Sequence, residues 1–300
     1  MVYPLLKLNQ KSNKVYYNYN TILHHQRANC MRISCIFLFI LLIPHFSKAQ
    51  ATYSKSNKGR LFFYWGWNTD LFSKSDIKFK GDAYDFILKK VVATDRPTKF
   101  GLDAYFNPKY LSTPQYNFRL GYYLSDRYSL SVGMDHMKYV MKQNQIALIN
   151  GSIHSGSAYD GEYRDQSISL QPDFLRFEHT NGLNYANIEI RRHSHVFTIN
   201  HFDLNLCTGL SAGVLIPRTD AVLLNFPEYD EFHLAGYGLA ALLGVNFTFF
   251  KSFFIQSEYK AGNINLPSIR TTSNRDDHAS QRFWFGQLNL VFGGNVRIGR

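Results

Sequence analysis

The chain has 300 residues, a formal net charge of +11, and 45% hydrophobic and 16% aromatic residues. Its 20 Tyr and 25 Phe residues favour β-strands over helices. After the first 49 positions no apolar run reaches the roughly 18 residues that a membrane-spanning helix needs, which argues against a helical membrane protein.

The first predicted element is a secretory signal peptide. The longest apolar run, ISCIFLFILLIP at 33–44, follows Arg27 and Arg32 and precedes the small residues Ser47 and Ala49. A basic region, a short apolar region and small residues before a cut are typical of such a peptide. We therefore expect three parts in the chain: an upstream extension at 1–30, a signal peptide at 31–49 and a mature domain at 50–300.

Removal of this leader changes the charge and the cysteine content. Residues 1–49 hold six basic residues and no acidic one, so the formal net charge falls from +11 to +5. This lower charge removes the main argument for a nucleic-acid partner, which was the high net positive charge. Cys207 alone remains of the three cysteines, so the mature chain has no intrachain disulfide. With no phosphate-loop or zinc signature either, we expect no cofactor, no bound metal and no nucleic acid.

Alternating apolar and polar residues then predict a series of β-strands. In RLFFYWGWN at 60–68, one side carries Leu61, Phe63, Trp65 and Trp67. Seven further segments repeat the pattern, at 114–124, 128–137, 184–192, 201–215, 236–250, 252–262 and 282–294. Because a bilayer leaves no water for unpaired backbone groups, strands cross it only in closed barrels. We predict an all-β fold: a closed antiparallel transmembrane β-barrel of about eight strands.

The connections between these strands alternate in length, as short periplasmic turns and long extracellular loops do. The long ones lie at 70–113, 138–182, 216–233 and 264–281. Three segments inside the first two resemble strands that extend above the membrane: DFILKKVV at 85–92, NQIALINGSI at 144–153 and GEYRDQSISL at 161–170. We therefore expect partly β-structured extracellular loops, with a ten- or twelve-stranded barrel as the alternative.

The period of two assigns side chains to the two faces of the barrel. The bulky apolar rows are predicted to face lipid: Phe63, Trp65, Phe118, Leu130, Ile188, Leu243, Phe247, Ile255, Leu288 and Leu290. The opposite rows are predicted to point charges into the lumen: Arg119, Asp135, Glu189, Arg191, Glu258 and Lys260. Side chains just fill the interior of an eight-stranded barrel, so we expect salt bridges that plug it. A narrow channel remains the alternative.

At this point the sequence resembles the small eight-stranded outer-membrane β-barrel proteins of diderm bacteria, the OmpA-barrel and OmpX-like group. The resemblance covers Gly59 to about Phe292 and is carried by LFFYWGWN, YNFRLGYYL, YSLSVGMDHMKY, HLAGYGLAALLGVNFTFF and FWFGQLNLVFGG. It implies that 50–300 is a barrel domain in the cell outer membrane. Its implied partners are outer-membrane lipids, the barrel assembly machinery and an extracellular ligand. Such families include adhesins, pores and lipid-modifying enzymes, so the resemblance selects no single function.

One segment carries candidate chemistry, FEHTNGLNYANIEIRR at 177–192. It is loosely similar to the His-x-Ser-Asn signature of outer-membrane lipid A deacylases, which would make His179 a base and Thr180 a nucleophile. Adjacent strand residues point to opposite faces, however, which opposes a shared site. The leading hypothesis is therefore a non-enzymatic barrel, structural or surface-binding through its outer loops. The alternatives are a lipid A or phospholipid-modifying hydrolase and a narrow channel.

Overall fold

The computed structural model describes residues 56–107, 109, 114–224 and 226–297; the predicted signal peptide and upstream extension lie outside them. The described residues form fourteen strands and one short helix. Their bounds are β1 Arg60–Phe72, β2 Ser75–Gly81, β3 Tyr84–Val91, β4 Ala93–Thr94, α1 Leu102–Phe106, β5 Tyr116–Tyr123, β6 Tyr128–Met141, β7 Ile146–Ile153, β8 Gly161–Ser169, β9 Leu175–Ile199, β10 Phe202–Leu223, β11 Tyr229–Phe232, β12 Gly236–Phe249, β13 Phe253–Arg270 and β14 His278–Arg297. No helix in this part of the chain is long and apolar enough to cross a membrane.

Eight of the strands form a cycle of antiparallel pairings. The order is β1–β5–β6–β9–β10–β12–β13–β14, and β14 pairs back with β1 from Arg60↔Arg297 to Phe72↔Phe285. Each of these eight overlaps one of the eight segments predicted from the sequence. The cycle has short connections at one end, such as Leu124 to Arg127 between β5 and β6. The local alternation of residues was therefore sufficient to find every strand of the cycle.

The predicted number of about eight strands is too low for the whole sheet, which has fourteen. Four further strands continue from the far end of β14 in the order β2–β3–β7–β8, and we call them the sheet extension. The short β4 and β11 pair with β6 and β10. Three strands of the sheet extension coincide with the predicted strand-like segments of the long loops. Because none of them enters the cycle, the ten- or twelve-stranded alternative finds no support in the pairing.

The apolar core of the described residues lies under the sheet extension. Phe79 of β2 and Phe86 of β3 stack at 5.1 Å, and Phe177 of β9 meets Phe79 edge-on at 5.7 Å. Along β2, buried residues alternate with exposed ones such as Lys78 and Lys80, as in a sheet that faces water on one side. The interior of the cycle differs, because most of its buried side chains are polar or charged.

The polarity of the cycle strands reverses along their length. On β6 the inward side chains are Ser129, Ser131 and Asp135, and then Met137 and Tyr139, all buried. The strand therefore passes from a polar interior into the apolar core of the sheet extension. Strand β9 reverses in the same way, from inward charges to the buried residues Tyr185, Leu183, Phe177 and Leu175.

Candidate functional site

A network of ion pairs centred on Glu189 of β9 fills the interior of the cycle. Its Oε1 lies 2.8 Å from Arg119 Nη2 of β5 and 2.8 Å from Lys260 Nζ of β13. Its Oε2 lies 2.5 Å from Arg191 Nη2, two residues along the same strand. These side chains converge because each stands on an inward row of its strand, where the period of two places it.

Two further acids complete the network. Asp135 Oδ2 of β6 lies 2.6 Å from Lys260 Nζ, and Glu258 Oε2 of β13 lies 2.7 Å from Arg191 Nη1. The network thus joins all six charges that the sequence predicted for the lumen, each at most 1% exposed. Three cations balance three anions, which offsets the high cost of burying charge. We call it the six-charge network.

Neutral side chains bond to several further donors and acceptors of the six-charge network, although Asp135 Oδ1 has no hydrogen-bond partner among the described residues. Arg119 Nε and Arg191 Nη2 both donate to the hydroxyl of Tyr64, at 3.0 and 2.7 Å. Arg119 Nη2 donates to Asn187 Oδ1 at 2.7 Å, and Asn289 Nδ2 donates to Glu258 Oε1 at 3.0 Å. Because Arg191 of β9 and Tyr64 of β1 stand on strands that do not pair with each other, their bond crosses the interior of the cycle.

The ten side chains predicted to face lipid all lie on the outside of the cycle, and none is buried. The exposed ones are Phe63, Phe118, Leu130, Ile188, Leu243, Leu288 and Leu290; Trp65, Phe247 and Ile255 are half-buried. The cycle therefore carries charge inside and apolar groups outside, the reverse of a water-soluble domain.

The predicted catalytic pair does not share a site. His179 is fully buried beside the rings of Phe177 and Tyr139, at 5.2 and 5.7 Å, and neither ring nitrogen has a hydrogen-bond partner among the described residues. This burial, under the sheet extension, lowers the pKa of His179 to about 3. Thr180 lies on the opposite face and donates to Glu178 Oε1 at 3.2 Å. The geometry therefore gives His179 no nucleophile to activate.

A groove that the sequence analysis missed lies on the outside of the cycle, across β6, β9 and β10. Its volume is about 660 Å³. Its polar lining includes His136, Lys138, Thr180, Asn184 and Arg218. One signal for it was present in the sequence: the outward row of β6 changes from apolar residues to His136 and Lys138.

His136 is held rigidly in this groove. Its Nδ1 lies 2.8 Å from Asn184 Oδ1, while Asn184 Nδ2 donates to the carbonyl oxygen of Ile216 at 3.1 Å. Because the Nδ2 of Asn184 is the donor to Ile216, its Oδ1 must accept a proton from His136. In the neutral imidazole the proton therefore lies on Nδ1, and Nε2 carries a lone pair. Tyr116 stacks on the imidazole with centroids 4.8 Å apart. No hydrogen bond joins Nε2 to another of the described residues.

Gly182 makes this arrangement possible, at an irregularity in the pairing of β6 with β9. Its φ of 120° is unfavourable for other residues. A Cβ there would lie 2.6 Å from Asn184 Oδ1 and 2.7 Å from His136 Cε1. A glycine is therefore required for Asn184 and His136 to approach each other, as at the bulges often found beside functional sites.

No protein-family model matches the chain, and no curated protein matches it. Several solved structures do. The outer membrane protein OprG from Pseudomonas aeruginosa is 12% identical, with 81% of this chain and 98% of that chain covered and a TM-score of 0.35.

Ail, the attachment invasion locus protein of Yersinia pestis, is 11% identical, with 80% of this chain and 99% of that chain covered and a TM-score of 0.30. The outer membrane protease OmpT from Escherichia coli is 6% identical, with 82% of this chain and 100% of that chain covered and a TM-score of 0.27. At such identities and TM-scores the likeness carries no argument about activity. The solved structures that match are outer-membrane proteins, the class that the sequence resembles.

Proposed function

We propose that the chain is an integral outer-membrane protein whose eight-strand cycle is a closed transmembrane barrel. The observation that carries this proposal is the cycle's reversed polarity, with buried charges inside and exposed apolar rows outside. Such an exterior is stable in hydrocarbon and unfavourable in water. A cycle of pairings also leaves no strand edge unpaired, which is the requirement for strands in a bilayer.

The sheet extension stands on the aqueous side of this barrel, beyond the outer leaflet. Its exposed faces carry charges, and one cross-strand ion pair joins Lys89 to Asp76 at 2.9 Å. Export through the predicted signal peptide, with the short connections left in the periplasm, gives this orientation. The protein therefore presents a folded surface to the exterior. We propose that it acts through that surface, by binding an extracellular partner or by stabilising the envelope, without catalysis.

The six-charge network supports a plugged lumen over the alternative of a narrow channel. Its bonds of 2.6–2.8 Å between opposite walls occupy the space that an ion would cross. An eight-stranded barrel has little interior volume left once its side chains are in place. The hydrolase alternative lacks support at its predicted pair, since His179 and Thr180 lie on opposite faces of β9.

The test is a planar-bilayer recording of the full-length mature protein, with folding checked by heat-dependent migration in a gel. We expect no unitary conductance from the native chain or from Lys260→Met. A conductance in the native chain with an ion selectivity that Glu258→Gln alters would establish a channel and overturn the plugged lumen. Failure to insert into bilayers, with the strands formed, would contradict the outer-membrane assignment itself.

A further inference from the structure

Asp70 is a buried acid inside the cycle that does not belong to the six-charge network. It is 2% exposed and lies on the inward row of β1, with Tyr64 and Asn68. Gln115 Nε2 donates to its Oδ2 at 2.8 Å, and Gln287 Nε2 of β14 donates to its Oδ1 at 3.0 Å. No ion pair joins Asp70 to another of the described residues. The carboxylate therefore lies between two neutral amides, although a buried charge without an opposite charge is costly.

A second acid without an ion pair lies beside Asp70, where β1 leaves β5. The pairing of these two strands ends before Asp70, and its backbone N–H donates instead to Asp95 Oδ2 at 2.8 Å. Asp95 Oδ1 is buried and has no hydrogen-bond partner among the described residues. Arg96, the next residue in the chain, is engaged by Glu178 at 2.8 Å. In the described part of the chain, two neighbouring acids thus have no basic side chain bonded to them.

Amide oxygens without partners lie next to these acids. Gln115 Oε1 and Gln287 Oε1 are both buried, and neither has a hydrogen-bond partner among the described residues. Each belongs to a carboxamide whose nitrogen contacts Asp70, so each lies beside that carboxylate. Asn68 Oδ1 adds a further oxygen, 3.3 Å from Gln115 Nε2. We call this group the Asp70 cluster: Asn68, Asp70, Asp95, Gln115 and Gln287.

The oxygens of the Asp70 cluster are of the kind that hard cations prefer. A half-turn of a carboxamide exchanges its nitrogen and its oxygen, so Gln115 and Gln287 can each present oxygen to a cation bound by Asp70. Ca²⁺ takes roughly 6–8 carboxylate, carbonyl and amide oxygens in a flexible arrangement, whereas Mg²⁺ requires a strict octahedron and keeps several waters. No three His, Cys, Asp or Glu side chains among the described residues are placed to hold a metal ion, so a cation here needs amide ligands as well as acids.

We propose that the Asp70 cluster binds one Ca²⁺ ion at the end of the cycle next to the sheet extension. The charge of the ion offsets Asp70 and Asp95 together. The six-charge network cannot do so, because its three cations are matched by its own three anions. The ion joins β1, β14 and the segments that hold Asp95 and Gln115, and it closes the cycle where β1 and β5 no longer pair.

This inference goes beyond the function proposed above and differs from the expectation of no bound metal. That expectation depended on local motifs, whereas the residues of the Asp70 cluster come from four separate segments of the chain. The strand pairing brings two of these segments together, since Asp70 lies opposite Gln287 in the register of β1 with β14. A site of this kind has no signature in the sequence.

The test uses the full-length mature protein, refolded in detergent after a chelator has removed divalent cations. Bound calcium is counted by equilibrium dialysis, and thermal unfolding is followed by circular dichroism at constant ionic strength. We expect one Ca²⁺ per chain at about 1 mM, a concentration at which extracellular calcium sites bind. Because a ligand of the native state stabilises it, the midpoint of unfolding should rise with Ca²⁺ concentration. The same concentration of Mg²⁺ should raise the midpoint less.

Asp70→Asn keeps the size of the side chain and removes its charge. It should weaken Ca²⁺ binding by at least about tenfold and abolish the rise in the midpoint. Asp95→Asn replaces it if Asp70→Asn does not fold, and it should weaken binding in the same direction. The matched control is Asp85→Asn, because Asp85 is an exposed acid on β3 of the sheet extension. It should bind Ca²⁺ as the native chain does.

A folded native chain that binds no Ca²⁺ would overturn the inference, as would equal binding by the native chain and Asp70→Asn. A native midpoint that does not respond to Ca²⁺, together with a more stable Asp70→Asn, would show that Asp70 holds a proton in place of the cation. Equal stabilisation by Mg²⁺ and Ca²⁺ would reject calcium as the ligand. Insertion into bilayers is measured separately, so loss of the calcium site leaves the proposed barrel intact.

Discussion

The eight-strand cycle and the apolar core under the sheet extension have opposite polarity, and cycle strands such as β6 run from one into the other. On β6, inward Asp135 joins the six-charge network, while inward Tyr139 lies fully buried in the apolar core. Outward Val132 is exposed, and outward Lys138 is half-buried. Whether a strand turns its polar or its apolar side chains outward therefore depends on its surroundings, hydrocarbon along one part and water along the other.

The two regions are therefore held together by different forces. Inside the cycle, charge-assisted bonds between Glu189 and its three cations replace an apolar core. Under the sheet extension, rings such as Phe79 and Phe86 pack as in a soluble protein and gain from leaving water. Perturbations of the two regions should consequently differ in size and in which part of the molecule they affect.

The largest expected effect comes from removal of one cation of the six-charge network. Arg191→Met leaves the buried Glu258 and Glu189 short of a partner. Loss of one member of a buried pair costs about 3–5 kcal/mol, so the free energy of unfolding in urea should fall by that amount. Arg191→Met/Glu258→Gln, which removes both partners of one pair, should recover part of it. A single variant as stable as the native chain would show that the network contributes nothing.

A charged substitution on the exterior should cost stability in the cycle, which faces lipid, and not in the sheet extension, which faces water. Leu243→Arg puts a cation on an outward residue of β12 and should lower the free energy of unfolding in lipid by about 2–4 kcal/mol if it lies near the bilayer midplane. Ile146→Arg is the matched control, because Ile146 is 75% exposed on the sheet extension. Its effect should be near zero. Equal effects in urea titrations of both variants would remove the evidence for a lipid-facing exterior.

The smallest expected effect, about 1.4 kcal/mol at pH 5.5, is a dependence of stability on pH through His179. Its pKa is lowered by burial to about 3, whereas a histidine in the unfolded chain titrates near about 6.5. Below about pH 6.5 this histidine binds a proton in the unfolded state but not in the native state. Stability should therefore fall by up to about 1.4 kcal/mol per pH unit as the pH drops toward 3, while above pH 7 the effect is absent.

His179→Phe should flatten this slope between pH 6.5 and 4.5, since Phe fits among the neighbouring rings and does not titrate. Protease sensitivity of the sheet extension would report the change. His154→Phe is the control, as His154 is exposed and pairs only with the equally exposed Glu162. Parallel slopes in the native chain and His179→Phe would show that other groups govern the acid response.

The strands of the cycle were predictable from local sequence. Each of its eight strands alternates over at least eight residues, and that local pattern assigned all six network charges to the inside without any knowledge of their partners. The period of two is a property of one strand, so it is readable before strands pair. The outward rows followed from the same rule.

The point at which this rule reverses, and the strand pairing beyond that point, depend on contacts between distant segments. The order β14–β2–β3–β7–β8 joins segments far apart in the chain, and nothing local specifies such partners. The groove likewise exists because register puts Asn184 between His136 and Ile216. The same register, with the irregularity at Gly182, turns His179 into the core and Thr180 toward the groove. Contacts across strands depend on closure of the whole sheet, which no single segment encodes.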